Sequence, residues 1–295
     1  MDSPLVTVIV VSYNQSKFIV ENLDSIRNQS YANIELIVAD DASTDNSVLV
    51  FEKWLQENHF DAITNFHVLN TGLSTVLNEC IALANGKYIK LIAADDFLHA
   101  DYISSCVKLF ENAAADIVYT KAYGIDDNST IITDDHFCGL DFINDEELRK
   151  LLFKGNFISG ATMMMRKSLY DKVGYYKKEV LLEDYDLILN ALNNNLIIKY
   201  LPENLLYYRR HEGNITKTKF ELLQVQTILT KIKYDIDLEF SSVINENILK
   251  QLKLLNPNLG LIKKAYSKYK KRKLLYHLLI YKPFFIKSLI KLRLI

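Results

Sequence analysis

Three groups of carboxylates and one basic-aromatic segment carry the chemical potential of this chain. Asp95 and Asp96 follow the apolar run Tyr88–Ala93. Two adjacent carboxylates at the end of a buried strand are costly to desolvate unless a cation or hydrogen bonds compensate. They can cap the following helix, or form a hard-cation site, since Mg²⁺ and Mn²⁺ prefer carboxylate and phosphate oxygens. Asp40 and Asp41 end the run Ile34–Ala39 in the same manner. A carboxylate there accepts a hydrogen bond from a base or ribose, or caps the turn ahead of Ser43–Val48. Glu183-Asp184-Tyr185-Asp186 places three carboxylates at an expected helix start, where the helix dipole should hold them ionised. That charge is either merely solvated or, if it faces a cleft, suited to general-base work. Tyr207-Tyr208-Arg209-Arg210-His211 joins aromatic, cationic and imidazole groups, and a neutral imidazole can complete a metal site.

The elements around these residues alternate. Leu5–Val11, Ile34–Ala39, Phe66–Leu69, Tyr88–Ala93 and Ile117–Thr120 read as buried strands. Between them, helical spacing links Phe18, Ile19, Leu23 and Ile26; then Val48, Phe51, Trp54 and Leu55; then Thr75–Ala84; then Tyr102–Phe110. This alternation predicts βαβ units and a mostly parallel sheet flanked by helices. Right-handed crossovers put the strand C-termini on one edge, where such sheets bind ligands. Tyr13, Asn14, Asp40, Asp41, Asp95 and Asp96 all fall there. Beyond Gly124 the pattern loosens to a strand at Thr162–Met165, a helix at Asp184–Leu192 and a short strand at Leu205–Tyr208. After Phe220 only helical periodicity remains. The expected division is an α/β domain over 1–217 and a helical C-terminal region over 218–295.

Composition narrows the class. With 295 residues and 49% apolar, the chain can bury a sizeable core. Cys80, Cys106 and Cys138 are too few and scattered for a disulfide framework or zinc cluster, and are expected as buried thiols in a reducing cytoplasm. No glycine cluster of dinucleotide or P-loop type occurs. No signal sequence or membrane-spanning stretch is apparent. The net charge of −1 hides an asymmetry: thirteen Lys and Arg and no acid follow Glu246. Lys263, Lys264, Lys268 and Lys270–Lys273 precede apolar runs edged with Lys and Arg, the pattern of an interfacial helix on an anionic membrane. Alternatively, these C-terminal helices pack on the catalytic domain or on a second subunit. The tail lacks an ordered nucleic-acid recognition motif, and no nucleic-acid partner is expected.

The order of motifs is more specific than any one of them. VSYN at 11–14, VADDASTDNS at 38–47, NTGLSTVLN at 70–78, ALANGKYIKLIAADDFL at 82–98, LLEDYDL at 181–187 and YYRRHEGNIT at 207–216 resemble the family-2 glycosyltransferases of GT-A, Rossmann-like fold. The resemblance covers about residues 4–216. It implies inverting transfer of a sugar from a nucleotide-sugar, UDP-sugars foremost, to a hydroxyl of a glycan acceptor. By analogy with bacterial relatives, that acceptor is a lipid-linked oligosaccharide of surface polysaccharide synthesis, met at the inner face of the cell membrane. In these terms Tyr13 stacks on the base with Asn14 beside it, Asp41 hydrogen-bonds uracil, and Asn78 contacts the donor. Asp95 lies near the ribose and Asp96 binds Mn²⁺ or Mg²⁺. His211 is a candidate further metal ligand, and Asp184 is the catalytic base. Two positions depart from the family pattern: Ala94 replaces an acid common there, and Leu77 an arginine. A sugar-phosphate nucleotidyltransferase is disfavoured, because Ser12–Phe18 lacks a glycine-rich basic loop. A non-catalytic binding protein of the same fold is the remaining alternative.

Overall fold

The computed structural model describes residues 3–134 and 144–252. The chain divides into two compact units, Met1–Leu148 with Phe157–Asn214, and Arg149–Asn156 with Ile215–Ile295.

The first unit opens with β1 (Val6–Ser12), α1 (Ile19–Arg27), β2 (Ile34–Asp40), α2 (Ser47–Asn58), β3 (Ala62–Phe66), α3 (Leu73–Leu83) and β4 (Tyr88–Ala93). There follow β5 (Phe97–Leu98), α4 (Tyr102–Asn112), β6 (Ile117–Ile125), β7 (Ile131–Thr133) and α5 (Asp145–Lys154), whose last turns belong to the second unit. After a 3-10 turn at Gly160–Thr162 come β8 (Met163–Arg166), α6 (Leu169–Val173), α7 (Glu183–Asn193) and β9 (Ile198–Arg209). The sheet order is β3-β2-β1-β4-β8-β6-β9-β5, with β7 beside β6. The first four strands are mutually parallel, β8 runs antiparallel to β4 and β6, and β6 and β9 are parallel again. This is the expected α/β architecture, a mostly parallel sheet between helices.

The β-branched runs form this sheet because both faces of its centre are covered. Val6, Val8, Val10, Leu36 and Val38 share a core with Ile19, Leu23 and Ile26 of α1, Phe51 and Trp54 of α2, and the apolar face of α4. Against the other face, α3 packs on β1 and β2 with Val76, Leu77, Cys80 and Ile81 buried.

Three expected strands differ in extent, with β6 running to Ile125 instead of Thr120, and β5 and β7 add to the expected set. β3 is Ala62–Phe66, not Phe66–Leu69; its ladder on β2 ends at the Asp40–Phe66 pair because β2 ends there. Val68 and Leu69 are then left 92% and 74% exposed. The last strand starts at Ile198 rather than Leu205, and its register against β6 shifts near Thr120–Ala122, opposite Pro202, which cannot donate to a ladder.

In the second unit, α8 (Ile215–Thr218), α9 (Phe220–Tyr234) and α10 (Ser241–Leu252) are helical. The end of α5 joins this unit, which a single cut at Lys217 does not capture. Phe153 stacks on Phe240 at 3.9 Å and Arg149 Nη2 donates to the Tyr234 carbonyl at 2.8 Å. The basic tail, residues 263–295, and Cys138 lie outside the described residues. Cys80 and Cys106 are free and buried.

Candidate active site

The loops after β1 and β2 hold each other. Asn14 has φ +56°, a left-handed conformation that asparagine tolerates better than most residues. Its amide N–H donates to Ser43 Oγ at 2.8 Å, and its side-chain oxygen accepts from Thr44 N at 2.8 Å. Asp40 fixes Ser43 through its N–H at 2.7 Å and its hydroxyl at 2.6 Å. Asp45 accepts from Ser16 N at 3.0 Å and from Ser47 N at 2.9 Å. Tyr13, 50% exposed, stands on this locked platform.

Asp40 therefore forms the turn, and Asp41 faces the other way. Its carboxylate accepts Thr71 N at 2.7 Å and Gly72 N at 2.8 Å. His67 Nδ1 lies 3.2 Å from the same carboxylate, while His67 Nε2 meets Glu79 at 2.7 Å. Gly72, φ +88°, makes the close turn that brings both N–H groups to one carboxylate.

At the end of β4, Asp95 Oδ2 meets His211 Nε2 at 2.9 Å. Asp96 Oδ1 accepts the Arg209 N–H at 2.8 Å. Burial, and then the Asp95 carboxylate beside it, push the Asp96 carboxyl well above its ordinary range. Arg209, 1% exposed, spends its guanidinium on the Asp95 carbonyl (2.8 Å), the Asp126 carbonyl (2.7 Å) and Glu21 (2.5 Å). Its Cζ lies 4.4 Å from the centre of the Phe18 ring, and His211 stacks on that ring at 5.9 Å. Asn22 Nδ2 donates to the Asp96 carbonyl at 2.8 Å. The carboxylate pair is thus built from four elements.

The sequence paired His211 with Asp96; the structure pairs it with Asp95. Gly213 N–H donates to His211 Nδ1 at 3.1 Å, so Nε2 carries the ring proton and donates to Asp95. Ligation through Nε2 requires that proton to move. Among the described residues no group of three or more His, Cys, Asp and Glu is arranged to hold an ion alone. Asp95 and Asp96 nonetheless fit a hard cation. They are adjacent, mutually repelling carboxylates with oxygens to spare, and Mg²⁺-type ions take one or two carboxylates plus substrate phosphate.

Asp184 stands at the start of α7. Its Oδ2 accepts Gly160 N at 2.9 Å and its Oδ1 accepts Tyr185 N at 2.6 Å. A Cβ at Gly160 would meet the Asp184 Cβ at 3.0 Å, so glycine permits the approach. The helix dipole does not keep Glu183 and Asp184 in the ordinary range. Burial raises the Asp184 carboxyl, the Gly160 and Tyr185 N–H groups opposing it, and burial with the Asp184 charge pushes Glu183 up to about 8. Asn78 clasps the Tyr176 backbone, donating to its carbonyl at 2.8 Å and accepting its N–H at 2.9 Å. Its amide therefore holds that loop.

Sequence reasoning named Arg209 only within its motif, without a partner, and missed Asn22, His67 and Lys90. Lys90 is fully buried in β4, where its ammonium donates to the Ala161 carbonyl and lies 3.4 Å from that of Met163. A lysine in an otherwise apolar strand was the available signal.

The family model described as glycosyl transferase family 2 matches residues 7–174. The chain is 26% identical over 242 residues to the glycosyltransferase GlyG of Streptococcus pneumoniae serotype 4, covering 77% of this chain and 78% of the relative. It is 28% identical to the Escherichia coli UDP-Glc:alpha-D-GlcNAc-diphosphoundecaprenol beta-1,3-glucosyltransferase WfaP, covering 77% and 86%. In fold it is similar to S. aureus TarS 1-349 in complex with UDP, with a TM-score of 0.68 at 18% identity over 97% of this chain and 91% of that one. It is also similar to the Pyrobaculum calidifontis mannosyltransferase PcManGT in complex with GDP-Man and Mn2+, with a TM-score of 0.57 at 17% identity over 97% and 83%.

Proposed function

We propose, because the chain belongs to glycosyl transferase family 2 and is a glycosyltransferase, that it moves a sugar from a UDP-sugar to a hydroxyl of a lipid-linked glycan with inversion. The observation that carries this reading is the set Asp95, Asp96 and His211, gathered beside the locked loops at the strand C-termini. The named activity of WfaP and the UDP complex of TarS favour a uridine donor.

In this reading Tyr13 stacks on the base. Asp41, already held by Thr71 and Gly72, offers its Oδ2 to the uracil N–H. Asp95 and Asp96 would hold Mn²⁺ or Mg²⁺, which would supply Lewis-acid stabilisation of the departing diphosphate's charge. Asp184 accepts the proton of the acceptor hydroxyl as that oxygen bonds to the anomeric carbon. The bond from that carbon to the diphosphate breaks from the opposite face, and its electron pair leaves with the diphosphate. One displacement inverts the centre, and general-base assistance of this kind contributes about 10²–10⁴-fold.

Asn78, the proposed further donor contact, also holds the Tyr176 backbone. No helix among the described residues is long and apolar enough to cross a membrane, and the basic tail is proposed to attach the enzyme peripherally at the cytoplasmic face. A screen for nucleoside diphosphate release from UDP-, GDP- and dTDP-sugars tests the donor. Release from UDP-sugars is expected, and release from GDP- or dTDP-sugars alone overturns the uridine assignment.

A further inference from the structure

A second cleft opens at the other end of the strands from Asp95. It has a volume of about 450 Å³ and lies between Gly86 and Lys87 ahead of β4, Arg166 and Lys167 at the end of β8, and Tyr170 and Tyr175. The six residues of β4 separate it from the carboxylate pair by roughly 20 Å at ~3.3 Å per residue.

Three cations, Lys87, Arg166 and Lys167, line it. Arg166 is partly buried, with its Nε on the Ala115 carbonyl at 3.3 Å and its Cζ 5.3 Å from the Tyr88 ring centre and 5.8 Å from that of Phe110. Lys167, also partly buried, donates to the Ala84 carbonyl. Neither cation has a carboxylate within ion-pair distance among the described residues, whereas Lys87 pairs with Glu111 at 2.7 Å. Asp171 is the one acid on the wall, and behind it Glu111 acts on Arg166 and Glu35 on Lys167 without direct contact. Cations held by carbonyls and rings, with no carboxylate in direct contact, keep N–H donors free for an anion. A guanidinium fork fixed by stacking suits a phosphate or carboxylate.

Beside the cations stands a flat apolar surface. Tyr175, 50% exposed, stacks on Tyr170 with centroids 5.7 Å apart and planes 13° apart. The walls are preformed: a Cβ at Gly86 would meet Thr7 N at 2.5 Å, and Asn78 clamps the chain next to Tyr175. A ring platform beside cations matches a sugar carrying an anionic group, with its C–H face on Tyr175 and its anion on Arg166 and Lys167.

We propose that this cleft is a second ligand site, distinct from the donor site, for a phosphorylated or carboxylated sugar unit. The full chain is titrated calorimetrically with glucose 1-phosphate, glucuronate, inorganic phosphate and glucose, each with and without saturating UDP. Saturable binding of glucose 1-phosphate and glucuronate is expected to persist with UDP present, showing that it does not depend on the donor site. Glucose alone should not bind. Lys167→Ala should weaken binding of both anions by at least about tenfold, the scale of a charged hydrogen bond. Tyr175→Ala, at an exposed position, should remove the advantage of glucose 1-phosphate over inorganic phosphate. Loss of binding in the presence of UDP, insensitivity to Lys167→Ala, or inorganic phosphate binding as tightly as glucose 1-phosphate overturns the proposal.

Discussion

Asp184 and its neighbour Glu183 are partly buried acids whose carboxyls burial has raised, Glu183 to about 8. A general base works only when deprotonated, so the sign of the pH dependence follows. Activity is present above the raised value and lost as pH falls through it, earlier than an exposed aspartate would allow. The acidic limb of kcat/KM should therefore lie above the ordinary aspartate range; a profile flat down to pH 4 would remove Asp184 as the base. Asp184→Asn should lower kcat by at least about 10²-fold with donor affinity little changed. The neighbouring carboxylates divide their labour in a way adjacency in sequence cannot show. Asp40 closes its own turn while Asp41 reaches across to Thr71 and Gly72. Likewise His211 chooses Asp95 over Asp96. For the metal proposal, Asp95→Asn and Asp96→Ala should each abolish Mn²⁺- or Mg²⁺-dependent turnover while circular dichroism stays unchanged. Full activity in excess EDTA would sink the assignment.

At the scale of elements, the ends of β1, β2 and β4 were legible because polar and acidic residues, which when buried must turn to hydrogen-bond partners outside the ladder, interrupt the apolar runs. Boundaries set by partners were not: β3 ends where β2 ends, and β9 extends past Pro202 because β6 offers it a ladder. Arg209 was hidden by its own motif, since an arginine beside a histidine reads as surface until Glu21, Asp126 and Asp95 are seen to surround it. Lys90 gives β4 a measurable signature. Burial pulls its ammonium down from 10.5 to about 7, against the attraction of Asp96. Between those values the unfolded chain holds a proton that the folded chain does not, so this lysine's contribution to stability rises with pH from about 7 to 10. The slope is about 1.4 kcal/mol per pH unit at most. Lys90→Met removes that slope. Its destabilisation relative to wild type, measured by urea unfolding, should grow between pH 6 and pH 9. A difference independent of pH would show that Lys90 stays charged in the fold.

For the whole molecule, the ordered motifs revealed family and sheet together, because the motifs at 11–14, 38–47 and 82–98 end β1, β2 and β4 and the crossover rule gathers those ends on one edge. The grouping of Arg149–Asn156 with the C-terminal helices was not legible, since Phe153 and Arg149 look like an ordinary helix face until Phe240 and Tyr234 are in place. Residues 263–295 remain a proposal about location. Their removal should leave a soluble protein that keeps activity on a water-soluble acceptor and no longer sediments with anionic liposomes. Unfolding of the truncated chain, or continued sedimentation, would assign the tail a structural part instead.

The paired loops at Asn14 and Ser43 have a kinetic consequence. Their N–H groups at Asn14, Ser16 and Thr44 are already bonded across the gap between the two loops. Binding therefore has little backbone left to order there. Association with the nucleotide should be governed by diffusion and orientation rather than by waiting for a rare conformer. These amides, though they sit in turns, should exchange with deuterium slowly before any ligand is added.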